Sequence, residues 1–290
     1  MLPENSDPKE KEQAFNRQII AEYLKFGSVD KVFENHHYDL PISYPGFQRL
    51  VEKRGIIKAA GPNSMLSEAL CFMVLMSDKK LPLEKVYKRL PHTFKTSLAT
   101  MHRIVHNVKE GAIRRFGTAL VITTEDNPEE ILVGEDVATP RIELGKPFGA
   151  ITLPMGYSKE NEEVRTSILR VMQQEVFVKE TIDGKFPYAL LSKKLTPLMY
   201  LDIADVRVAV YNLVLPKEIC NFSSFKVVNH RFLHLSALTS GDANFRSGIK
   251  EIGLEYKKYL ENSNYGFNPA PVVETSLVNL SLQQELALEY

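Results

Sequence analysis

The chain has 290 residues, 36 Lys and Arg against 36 Asp and Glu, and a 44% hydrophobic fraction, which favours two domains and suffices for a sizeable core. Its best apolar run, residues 69–76, is eight residues long, too short to span a membrane, and the charged start MLPENSDPKEKEQ lacks the apolar stretch of a signal peptide. Cys71 and Cys220 lie far apart without metal-ligand spacing and read as small core residues of a reducing compartment, so the cytoplasm is the expected location.

Residues 1–14 read as a solvated, flexible tail. From 13 to 26 the apolar positions Phe15, Ile19, Ile20, Tyr23 and Leu24 recur at helical spacing, and Gly27 stops the run. Ser28 caps a short helix with Val29, Val32 and Phe33. A turn rich in Pro and His follows, and residues 44–54 form a basic amphipathic helix closed by Gly55. Helix, glycine break, short helix, turn and basic helix together outline a helix-turn-helix, here spanning 15–58. The same element order recurs over 64–116. It comprises an apolar helix at 65–76, a short helix opened by Pro82, a turn at Pro91, and a helix over 95–110 with Leu98, Met101, Ile104, Val105 and Val108 on one face.

The net charge of zero hides an asymmetry. Residues 15–116 carry 17 Lys and Arg against 9 Asp and Glu, a net of +8, whereas residues 117–290 carry 17 against 23, a net of −6. A basic half joined to an acidic half points to polyanion binding by the first. Double-stranded DNA is the expected partner, contacted by Gln48, Arg49, Lys53 and Arg54 in the first unit and by Lys95, Thr96, Ser97, Thr100 and Arg103 in the second.

From Gly117 the period changes to that of strands. Residues 118–124 and 131–133 flank Glu125-Asp-Asn-Pro-Glu129, which is hairpin chemistry. A short strand is expected over 151–153, a helix over 160–175, strands over 206–215 and 225–235, and an amphipathic helix over 245–260. His102 and His106 have helical i, i+4 spacing, but no acidic residue nearby completes a zinc set. His230 and His234 fall on one face of a strand and read as hydrogen-bonded or ligand-facing.

Residues 153–177, LPMGYSKENEEVRTSILRVMQQEVF, resemble the Nudix box. That signature is a glycine, five residues, a glutamate, seven residues, then Arg-Glu, an apolar residue, any residue, and Glu-Glu. Here Gly156, Glu162 and Arg170 keep the spacing, Met172 takes the apolar slot, and Glu175 is the last glutamate. The resemblance covers about 117–260. It implies that Glu162 pairs with Arg170 to brace the loop and that magnesium sits on the helix carboxylates. Two of those positions depart from the pattern as Val171 and Gln174, and the closing glycine is Phe177. Magnesium wants several anionic oxygens, and one glutamate is a poor site for it.

The architecture expected is multidomain. An all-α N-terminal helix-turn-helix region (15–116, units 15–58 and 64–116) precedes an α/β (α+β) Nudix-like sandwich (117–262) and a C-terminal tail (263–290). The arrangement is similar to Nudix-related transcription regulators, whose Nudix-like domain binds a nucleotide sugar such as ADP-ribose. In those regulators the DNA-binding part typically follows that domain, and here it precedes it. The expected function is therefore a DNA-binding regulator with a catalytically inactive, ligand-sensing Nudix-like domain. Its expected partners are duplex DNA and a nucleotide-like small molecule, with a homodimer admitted and with no cofactor, catalytic residue, metal site or membrane contact. The alternative is an active Nudix diphosphate hydrolase with an accessory N-terminal domain, which would use magnesium.

Overall fold

The structure is a computed structural model that describes residues 7–59, 82–88, 99, 102, 115–140, 145–159, 161–191, 195–203, 206–240, 244–261 and 270–275. Three helices open it: α1 (Pro8–Phe26), α2 (Val29–Asn35) and α3 (Tyr44–Lys53). Helix α1 begins at Pro8, inside the stretch 1–14 expected as a solvated tail. Asp7 accepts a hydrogen bond from the Lys9 amide, Pro8 occupies the first turn and Glu10 favours the positive helix end. Ser28 and Ser43 cap the next two helices by accepting from Lys31 N and Gly46 N. The apolar stripe on α1 (Ile19, Ile20, Tyr23, Leu24) packs with Val32, Phe33, Phe47 and Val51 into one buried cluster. Of the second unit, only α4 (Leu83–Lys88), Pro82, Ala99, His102, Arg115 and Phe116 are described.

Among the described residues eight strands build two sheets. They are β1 (Arg115–Thr124), β2 (Glu130–Asp136), β3 (Ile151–Thr152), β4 (Met155–Ser158), β5 (Met199–Ile203), β6 (Val206–Leu215), β7 (Val227–His234) and β8 (Val272–Glu274). The larger sheet runs β4-β1-β6-β5-β8 and the smaller β3-β2-β7. Strand β1 pairs antiparallel with β4 and parallel with β6, and β5 pairs antiparallel with β6 and parallel with β8. The hairpin expected around 125–129 is not formed. Strand β1 hydrogen-bonds to β4 and β6 while β2 pairs with β3 and β7, so the turn carries the chain between sheets. Both faces of β1 are covered, with Ala119 and Val121 in one core cluster and Leu120 and Ile122 in the other. A strand covered on both faces loses the apolar–polar alternation that marks a solvated hairpin.

Helix α5 (Val164–Glu175) covers one side, and α7 (Leu235–Ser240) and α8 (Ile249–Glu261) cover the other, while α6 (Val178–Asp183) faces the α1–α3 cluster. Helix α5 starts at Val164 rather than 160, because Glu162 leaves the helix to bond Arg170. The C-terminal tail expected over 263–290 supplies β8, whose Val273 pairs with Leu201.

The N-terminal helices and the sheet domain share a core. Val178 is buried in the α1–α3 cluster and Ile182 packs against it, and Arg17 pairs with Asp183 at 3.3 Å. The segment after α3 then lies along α5. Gly55, with φ +65°, closes α3, and its carbonyl accepts from Gln173 Nε2 at 2.8 Å. Ile57 N donates to Gln173 Oε1 at 2.9 Å, and Arg54 lies against Ile182 and Gly184. Gln173 fills the slot that tolerates any residue in the box pattern, and it is fully buried. Its amide pairs with two backbone groups of the docked segment.

Replacing Gln173 by Leu leaves the Ile57 N–H unpaired, which costs about 1–3 kcal/mol, while the Gly55 carbonyl keeps the Tyr188 hydroxyl as a donor. Urea denaturation of the variant is expected to show a loss of about 1–3 kcal/mol, with α1–α3 cut first in limited proteolysis. An unchanged midpoint and an unchanged digestion pattern would show that residues 55–57 are not docked on α5.

Candidate functional site

Residues 153–177 fold as strand, loop and helix, the arrangement that the Nudix resemblance implies. Glu162 sits before the first turn of α5, so its separation of eight residues from Arg170 does not keep the two apart. Arg170 NH1 donates to Glu162 Oε2 at 2.6 Å, and NH2 bonds the other carboxylate oxygen. The Lys159 amide donates to the same carboxylate, NH1 also reaches the Tyr157 carbonyl at 3.3 Å, and Arg170 Nε donates to the Lys58 carbonyl at 2.7 Å. Both side chains are under 10% exposed, so this is a buried bidentate pair. Burial pushes the Glu162 carboxyl up, but the Arg170 bonds and the Lys159 amide outweigh it, and the group titrates below the ordinary glutamate range.

Arg170 also forms part of the wall of a cavity of about 280 Å³. Gly117, Thr118 and Val208 from the large sheet, Gly156 and Tyr157 from β4, and Val171, Gln174 and Glu175 from α5 line it. Ala59, at the end of the docked segment, closes one edge. The Tyr23 phenol of α1 lies against the Ala59 backbone, so the first helix reaches the same edge.

Four further charged groups face this space: Asp136, Lys146, Lys226 and Arg246. Lys146 Nζ lies 3.2 Å from Asp136 Oδ1, and Arg246 NH1 lies 3.5 Å from Asp136 Oδ2. Lys226 Nζ donates to Gln174 Oε1 at 2.8 Å. Glu175 Oε2 accepts from the Met155 amide at 2.7 Å, and its own carbonyl bonds His230 Nε2 at 2.8 Å. Burial pushes the Lys146 and Lys226 ammonium groups and the Arg246 guanidinium down and the Glu175 carboxyl up; the opposite charges across the cavity pull each part of the way back.

The family's magnesium does not fit these residues. Val171 offers no ligand, the Gln174 oxygen is committed to an ammonium, and Glu175 is bound to a backbone amide. Among the described residues no group of three His, Cys, Asp or Glu side chains could hold a metal ion. The cavity is instead a cationic pocket, suited to an anion with an apolar body.

The structure brings Gly156, Glu162, Arg170 and Glu175 to one place. Of the expected DNA contacts, Arg49 and Lys53 are exposed on α3 and Gln48 is half-buried. Arg54 is half-buried and reaches the Ile182 carbonyl at 3.5 Å. Lys95, Thr96, Ser97, Thr100 and Arg103 lie outside the described residues. His230 bonds the end of α5, and His234 pairs with Glu129. Sequence reading missed Asp136, Lys146, Lys226 and Arg246, which lie on separate segments with no shared spacing.

No family model matches the sequence, and no characterised protein sequence is significantly similar to it. Among solved structures, the MutT protein from Methanosarcina mazei Go1 is similar with 10% identity over 51% of this chain and 96% of that one, at a TM-score of 0.38. The Nudix domain of Shewanella oneidensis NrtR, solved with ADP ribose, is similar with 13% identity over 51% of this chain and 89% of that one, also at 0.38. An ADP-ribose pyrophosphatase from Streptococcus suis has 15% identity over 55% of this chain and 99% of that one, at 0.36. No described helix is long and apolar enough to cross a membrane.

Arg170→Ala leaves Glu162 buried without its partner, a loss of about 3–5 kcal/mol. Because the folded carboxyl titrates below its unfolded value, the pair stabilises above the ordinary glutamate range and is lost as pH falls through the lowered value. Urea midpoints measured from neutral to acid pH are expected to fall in the wild type and to start lower but fall less in the variant. Parallel curves would show that the pair does not set the acid limb.

Proposed function

We propose that this protein is a DNA-binding regulator whose Nudix-like domain binds a nucleotide or nucleotide-sugar diphosphate without hydrolysing it. One observation carries the reading: Arg170 is both a wall of the cationic cavity and the donor that holds the Lys58 carbonyl. Occupancy of the cavity therefore acts directly on the segment that leads from α1–α3 into the rest of the basic region. The net of +8 over residues 15–116 supports a polyanion partner for that region. Arg49 and Lys53, four apart on the solvent side of α3, are among the described groups suited to phosphate contacts. In a helix-turn-helix arrangement α3 would stand as the basic helix, with the second unit supplying Lys95, Thr96, Ser97, Thr100 and Arg103.

The hydrolase reading asks for a metal that neutralises the leaving group and activates water. Val171 and the Lys226-bound Gln174 speak against it.

Gel-shift titration of the full chain on a genomic DNA library at two salt concentrations, with and without ADP-ribose, tests the proposal. Binding is expected at low salt, falling steeply as salt rises, because phosphate contacts release counterions. ADP-ribose is expected to change the affinity. Absence of any shift at low salt would end the DNA reading. In a parallel assay with magnesium or manganese, no turnover of ADP-ribose, dinucleoside polyphosphates or nucleotide sugars is expected; turnover abolished by Glu175→Gln would establish the hydrolase instead.

A further inference from the structure

The box positions that hold metal in the family carry an ammonium here. Lys226 Nζ donates to Gln174 Oε1 at 2.8 Å and interacts electrostatically with Glu175. Lys146 and Arg246, with side chains 14% and 16% exposed, face the same cavity. Those three cations stand against two carboxylates, Asp136 and Glu175, while the Arg170 charge is already matched by Glu162. Arg246 Nε is buried without a hydrogen-bond partner among the described residues, so part of the guanidinium's desolvation is uncompensated. Partly desolvated positive charge in excess is costly unless an anion completes it.

We propose that Lys226 is a built-in cation that takes the place of the divalent metal, and that Lys146, Lys226 and Arg246 bind the diphosphate of the ligand directly. This rests on the ligand-binding reading above. An anchored ammonium supplies positive charge to phosphate oxygens, as a metal ion does. It cannot lower the pKa of a bound water, so charge recognition is kept and the hydrolytic nucleophile is not made. The apolar lining from Val171, Met155, Ile203, Val206 and Val208 leaves room beside the charges for a less polar part of the ligand.

Titration calorimetry on the full chain, with inorganic pyrophosphate and with ADP-ribose, separates the outcomes. Each probe is titrated in excess EDTA and in excess magnesium. Binding in EDTA at least as tight as in magnesium is expected, since magnesium shields the diphosphate. Lys226→Met and Arg246→Met are each expected to weaken it about tenfold or more. Lys217→Met, which removes an exposed charge paired with Asp126, serves as the control and is expected to change nothing. Thermal melts confirm that each variant is folded; should Arg246→Met not fold, Lys226→Met and Lys226→Arg, the second expected to retain binding, decide alone. Binding that requires magnesium would overturn the built-in cation and leave the ligand-binding reading standing. Unchanged affinity in the folded Lys226→Met variant would overturn it as well. No binding of either probe under either condition would overturn both.

Discussion

The guanidinium of Arg170 is the point at which the described parts of the molecule meet. It donates to the Glu162 carboxylate, the Tyr157 carbonyl and the Lys58 carbonyl. Those acceptors belong to the loop before the box helix, to β4 and to the segment that follows α3. A planar fork with five donors can hold three such partners at once, which a lysine could not do. Because Glu162 neutralises it, Arg170 braces the cavity wall without adding to the positive excess inside. Gln173, three residues further along the same helix, fastens the same N-terminal segment through its side-chain amide. One face of one turn of α5 thus joins two parts of the chain that composition and charge set apart.

Charge is matched locally around Gln174. Its side-chain oxygen accepts from Lys226, which arrives from the turn before β7. Ser224 shapes that turn, accepting from the amides of Lys226 and Val227 and donating to the Gln174 carbonyl. The positive charge beside Gln174 is thus covalently attached to the protein.

Much of this was legible in the sequence wherever the signal is local. The 206–215 run of β-branched residues became β6 at those bounds, and Ser28 caps α2 as its position before Val29 implies. Gly156, Glu162, Arg170 and Glu175 were readable because a loop-helix motif fixes their spacing. What depends on tertiary partners was not. The 125–129 turn has hairpin chemistry, yet its strands enter different sheets, because β1 finds β4 and β6 as neighbours. Asp7 looked like part of a charged tail, although its side chain starts a helix. The basic side chains at 146, 226 and 246 converge only once two sheets and a helix enclose them, and nothing in their separate segments marks that meeting. Arg54 reads as a surface charge on a basic helix, and only packing against Ile182 reveals it as part of the dock.

The central claim is that the cavity and the N-terminal helices are coupled through residues 55–59. Hydrogen exchange of the full chain with and without saturating ADP-ribose tests this most directly, because it reads local opening amide by amide. Changed protection is predicted at the amides of residues 57–59 and along α1, together with the pocket strands β1 and β4. A response confined to the strands and α5, with residues 57–59 and α1 unaltered, would contradict the coupling.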